Sequence, residues 1–143
     1  MAVDIYTINL ATNNLIPFTS NELVCGFPSP ATDYLDLSID LNKELINNPN
    51  ATFCGRVKGS SMVDAGLEEG DVIIIDRSLE LKNNSIAVCF LDGEFTVKRV
   101  KVFKTKKEVH LMPSNKAFQP IIVTPDNEFT IWGIVIYTIK KNF

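Results

Sequence analysis

The sequence predicts a mainly β, compact domain with one short helical segment and an extended N-terminal arm. Three observations carry this. From Thr52 onward, short runs rich in Val, Ile and Phe follow one another with turn residues between them. Asp92-Gly93 separates two of these runs and is the strongest short-range hairpin signal in the chain. Before Pro30 the apolar residues are scattered and interrupted by Asn13-Asn14, Pro17 and Pro28. The 143 residues suffice for one domain with a real core. We therefore divide the chain into an arm, residues 1–31, and a β-rich body, residues 32–143.

Taken in order, Leu23-Val24-Cys25 reads as a short extended piece. Gly26-Phe27-Pro28-Ser29-Pro30 continues it, because each X-Pro step holds the preceding residue extended. Ala31 to Asn47 reads as helical, in one or two pieces. Asp40 is a plausible N-cap for Leu41 to Ile46, whose Leu41, Leu45 and Ile46 form an apolar stripe. Strands are expected at Phe53–Lys58, Asp71–Asp76, Ile86–Leu91, Glu94–Val102, Glu108–Met112, Phe118–Val123 and Phe129–Ile139. Val72-Ile73-Ile74-Ile75 is a β-branched run suited to burial on both faces.

The hairpin fixes a register. With Asp92-Gly93 as a two-residue loop, paired numbers sum to 185. Lys98 then lies opposite Ala87, and Thr96 opposite Cys89, all on one face. Val88, Phe90, Phe95, Val97 and Arg99 share the other face. That second face is the greasier, which argues for an exposed Lys98; the small neighbours Ala87 and Cys89 argue for room to bury it. Periodicity leaves the choice open.

Composition excludes several functions. The net charge of −3 and isoelectric point near 5.1 argue against a domain that grips nucleic acid by its phosphates. Cys25, Cys54 and Cys89 are odd in number and without CxxC spacing, so they read as reduced thiols of a cytoplasmic protein. No signal peptide and no membrane span are expected. Metal-ligand spacing, P-loop and GxGxxG motifs are missing, so no metal or cofactor is expected. The one histidine, His110, sits in the apolar stretch Val109 to Met112 and reads as a strand residue rather than the base of a triad. A Gly59-Ser60-Ser61-Met62 turn remains, where a serine nucleophile could meet neighbouring amide donors. Its base would be a lysine distant in sequence, made neutral by burial. Candidates are Lys98, Lys101, Lys104, Lys106 and Lys107.

Cys25-Gly26-Phe27-Pro28-Ser29-Pro30, the Gly59-Ser60-Ser61-Met62 turn, Gly70-Asp71 and Asp92-Gly93-Glu94-Phe95-Thr96-Val97-Lys98 occur in this order. Together they resemble the UmuD-like, LexA-related family of self-cleaving serine peptidases, from about Leu23 to the C-terminus. The resemblance implies a LexA/UmuD-like fold and a serine endopeptidase with Ser61 as nucleophile and Lys98 as base. It implies a scissile bond between Cys25 and Gly26, cut when RecA filaments on single-stranded DNA stimulate it in the SOS response. It further implies that the trimmed homodimer joins UmuC in the error-prone DNA polymerase V. The backbone N–H groups of Ser61 and Ser60 would then hold the oxyanion. Many relatives carry an acidic residue where this chain has Ser60, a position that varies.

Three other readings compete. A non-catalytic dimeric interaction protein with a vestigial dyad is opposed by intact Ser61, Lys98 and Cys25-Gly26. A LexA-type repressor needs a DNA-reading helical domain before the scissile bond, for which the residues before Gly26 are too few. A signal peptidase needs a membrane anchor.

Overall fold

A computed structural model describes residues 2–8, 15–18, 37–60 and 62–142. The chain divides into two compact units, Met1–Ile8 with Asn50–Phe143, and Asn9–Pro49. The larger unit is an eight-stranded antiparallel sheet. Its strands are β1 (Ala2–Thr7), β4 (Thr52–Lys58), β5 (Val72–Asp76), β6 (Ile86–Leu91), β7 (Glu94–Phe103), β8 (Glu108–Met112), β9 (Ile121–Val123) and β10 (Phe129–Ile139). Their spatial order is β1-β4-β5-β10-β6-β7-β8-β9. An extra pairing of Ala2 with Thr96 joins β1 to β7 and closes the first six strands into a ring.

The two faces of the sheet are buried in two clusters. Val3, Val57, Ile73, Ile75, Val88 and Val97 pack with Met62 and Leu67 in one. Ala87, Cys89, Val100, Leu111 and Ile134 form the other, where β8 and β9 continue beyond the ring. β5 is buried on both faces as its β-branched run requires: Ile73 and Ile75 belong to the first cluster and Ile74 is 6% exposed. Gly133 lets β10 pass close to β5, since a Cβ there would stand 2.5 Å from Ile75 Cγ2.

The β6–β7 hairpin has the expected register in full, from Ile86↔Arg99 to Leu91↔Glu94. Asp92 and Gly93 both take positive φ, 47° and 89°, as a two-residue turn of this kind demands. The Asp92 carboxylate also accepts from the Glu128 amide at 2.9 Å and Asn127 Nδ2 at 2.7 Å, tying the turn to the start of β10.

Two stretches differ from the sequence reading. Ala2–Thr7 lies within the residues assigned to the arm, yet it is a strand of the main sheet, paired over six residues with β4. Its apolar Val3 enters the core while Ala2, Asp4 and Tyr6 stay exposed, a period-2 pattern too short to stand out in the sequence. In the smaller unit, Leu37–Asp40 is strand β3, not helix, paired with β2 (Leu15–Phe18). Residues 31–36 of that expected helix lie outside the described residues, and Leu41–Leu45 is helical, α1. The Asp40 carboxylate caps it, accepting from the Asn42 amide at 3.0 Å.

Candidate functional site

Of the sequence-predicted site residues, Ser61, Cys25 and Gly26 lie outside the described residues. The structure places Lys98, Ser60 and the framework on either side of position 61.

Lys98 stands on β7 opposite Ala87, on the face of Ala87 and Cys89. It is 5% exposed, and Ala87 and Cys89 are fully buried. The burial choice that periodicity left open is thus decided by the small cross-strand neighbours. Burial strips water from the ammonium and lowers the Lys98 pKa below its ordinary value of 10.5. The same burial pushes the Cys89 thiol up to about 12, against the pull of the Lys98 charge. A thiol in that range stays protonated at neutral pH, and for Lys98 desolvation outweighs the opposing pull of Cys89.

The turn after β4 is built by its backbone. Gly59 has φ of 92°, a conformation that costs glycine little, and it breaks the strand at Lys58. Ser60 is exposed. Met62 is fully buried and anchors the far side of the turn in the core. A single 3-10 turn, Val63–Ala65, follows and ends at Gly66 with φ of 82°. The Met62 carbonyl accepts from the amides of Ala65 at 3.0 Å and Leu67 at 3.2 Å.

The loop after β8 clamps this turn. Asn115 Nδ2 donates to the Ser60 carbonyl at 2.7 Å, and the Asp64 amide donates to the Ser114 carbonyl at 2.6 Å. The Asn115 side-chain oxygen is itself fixed by the Ala117 amide at 3.0 Å. Sequence reasoning missed Asn115, because Pro113-Ser114-Asn115 carries only the composition of an ordinary loop.

β1 relates the turn to the lysine. Ala2 pairs with Lys58, where the turn begins, and with Thr96, on the same face of β7 as Lys98. Two strand spacings, roughly 10 Å, therefore separate the root of the turn from Thr96. His110 is elsewhere: its Nε2 meets Glu108 Oε2 at 2.8 Å and its ring packs on Phe103, both on β7–β8. Among the described residues no group of His, Cys, Asp and Glu is placed to hold a metal ion, and no helix is long and apolar enough to cross a membrane.

A peptidase S24-like family model matches residues 17–136, most of the chain, including the β4 turn, the Asn115 loop and β7 but not β1. The chain belongs to the peptidase S24-like family. Its similarity to protein MucA of Salmonella typhimurium is 40% identity over 144 residues, covering 99% of this chain and 97% of MucA. Protein ImpA of the same organism is 34% identical over 131 residues, 87% of this chain and 83% of ImpA. The LexA repressor of Caldicellulosiruptor saccharolyticus is 38% identical over 120 residues, 84% of this chain but 56% of the repressor. The S24-like match includes both the β4 turn and β7, so the buried lysine and the clamped turn lie within the family's own fold.

Proposed function

We propose that the chain is a self-cleaving serine peptidase that cuts its own Cys25–Gly26 bond with Ser61 as nucleophile and Lys98 as base. The observation that carries this reading is the burial of Lys98, 5% exposed, on a floor of small residues. A lysine so placed is poised to act as a neutral amine. In the first step Lys98 Nζ takes the Ser61 hydroxyl proton as the oxygen bonds to the Cys25 carbonyl carbon. The N–H groups of Ser60 and Ser61 hold the oxyanion. Collapse breaks the bond to the Gly26 nitrogen, which leaves with the proton from Lys98. A water, losing its proton to the same amine, then hydrolyses the ester. Because the substrate is tethered, its local concentration is high and modest chemistry suffices.

The resemblance to the UmuD-like, LexA-related family supports reading this activity as part of the SOS response. In this reading a RecA filament on single-stranded DNA stabilises the arm conformation that presents Cys25 to Ser61. The trimmed homodimer, built on residues 32–143, then joins UmuC in the error-prone DNA polymerase V in the cytoplasm. The test is incubation with RecA, an ATP analogue and single-stranded DNA, and separately at alkaline pH alone. Mass spectrometry should find one new N-terminus, Gly26, in both. A different new N-terminus would overturn the bond assignment, and no cut under either condition would favour a vestigial dyad.

Asn115 gives a second check. Asn115→Ala removes the donor that holds the Ser60 carbonyl and should slow self-cleavage by about ten- to a hundredfold, since small displacements of a nucleophile are costly. Asn115 is half-buried in a loop and its bond to Ser60 lies at the surface, so the melting temperature should change little. Asn115→Asp should be at least as slow, because a carboxylate cannot donate to a carbonyl. Cleavage at the parent rate in both variants would detach the clamp from the chemistry.

A further inference from the structure

β1 is joined to the rest of its unit through one covalent route, residues 9–49. Everything else that holds it is non-covalent. Six residue pairs run from Ala2↔Lys58 to Thr7↔Phe53. Val3, 7% exposed, packs in the core cluster with Val57 and Ile73. Asp4 Oδ2 meets Lys58 Nζ at 2.8 Å. Gly55 of β4 gives the seat its shape, since a Cβ there would stand 2.6 Å from Val3 Cγ2 and 3.2 Å from the Asp4 carbonyl oxygen. Without β1, the row of β4 backbone groups that pairs with it is an open edge, and the core lacks Val3.

We propose that β4 is a strand-acceptor site for the chain's own leader peptide, which stays bound as β1 after the backbone is cut between the two strands. Main-chain pairing supplies the hold, and the Val3 pocket over Gly55 supplies the selectivity, as in other cases of strand addition. Cutting at Cys25–Gly26 then does not by itself expel the leader. It converts a tethered strand into a dissociable ligand, and the trimmed protein exists in strand-loaded and strand-free forms. The biological setting rests on the cut proposed above; the retention of the strand does not.

The test uses the full chain carrying Ser61→Ala, with a recognition sequence for an added site-specific protease inserted between Gly26 and Phe27. The added enzyme makes the cut, so failure of the Ser61–Lys98 chemistry leaves this outcome untouched. After digestion at micromolar concentration, size exclusion and native mass spectrometry should find the leader still on the body. Val3→Asp should weaken its retention at least roughly tenfold, the effect of losing one buried valine. Gly55→Ala should release it as well. That variant leaves the β2–β3 pairing of Leu15–Phe18 with Leu37–Asp40 unchanged, so release assigns the hold to β4. Asp4→Lys, on an exposed pair that the fold does not depend on, should weaken retention about two- to fivefold, and adding Lys58→Glu should restore it. If a core variant unfolds the body, this charge swap decides. A leader that leaves the parent body on cutting would overturn the proposal. So would Asp4→Lys, Val3→Asp and Gly55→Ala chains that hold it as tightly as the parent.

Discussion

Lys98→Met should leave self-cleavage undetectable at every pH, a loss of about 10⁴-fold or more, as expected when one member of a nucleophile–base pair is removed. The parent rate should rise about tenfold per pH unit and then level off, tracking the neutral fraction of the amine. Burial lowers the Lys98 pKa, so the plateau should begin below its ordinary value of 10.5. The same shift sets the sign of a stability effect. A lysine whose folded pKa is depressed loses its proton in the folded state before the unfolded one. Below the folded pKa both states are protonated, and the penalty of burying the ammonium is fully present. Between the folded and unfolded values the unfolded state holds more protons, so stability rises with pH. Lys98→Met should therefore be more resistant to urea than the parent at neutral pH, with the difference shrinking at alkaline pH. Rates by gel densitometry and urea midpoints at neutral and alkaline pH test both halves. A parent rate that does not respond to alkaline pH would remove Lys98 as the base.

The part of this arrangement that local chemistry dictates was readable from the residues. Asp92-Gly93 fixed the β6–β7 register, and with it the position of Lys98 opposite Ala87, because both turn residues must take positive φ. The burial of Lys98 was not readable. Alternation identifies a buried face only when the other faces solvent, and here Val88 and Val97 lie in one core cluster while Ala87 and Cys89 lie in the other. β1 was hidden for a different reason. Its partner β4 begins 45 residues after β1 ends, and six residues beside Asn13-Asn14 and Pro17 give no local sign of that pairing. β3 carries conflicting local signals: Leu35, Leu37, Ile39 and Leu41 recur with period 2, the spacing of a strand, whereas Pro30 and the Asp40 cap are helix-start signals. The Asn115 clamp needed coordinates, since 55 residues separate its donor from the Ser60 carbonyl.

Met62→Ala should separate the stability of the turn from its chemistry. Met62 is fully buried among Val57, Leu67, Ile73 and Ile75, and its carbonyl receives the two amides that shape the turn. Truncating it leaves a cavity in a core too closely packed to collapse, at a cost of about 2–5 kcal/mol. For a domain of this size that lowers the melting temperature by roughly 7–16 °C. The consequence for self-cleavage should exceed the loss of folded protein. Even at a temperature where the variant remains folded, the side chain that seats one end of the turn is gone, while Asn115 still holds the Ser60 carbonyl at the other. Met62→Leu keeps most of the volume and should cost under about 1.5 kcal/mol. Thermal melts give the first quantity, and cleavage rates measured well below both transitions give the second. If Met62→Ala cleaves at the parent rate while folded, the turn is held by its backbone bonds alone. A slow Met62→Ala beside a fast Met62→Leu would place the geometry of the turn under the control of the core beneath it.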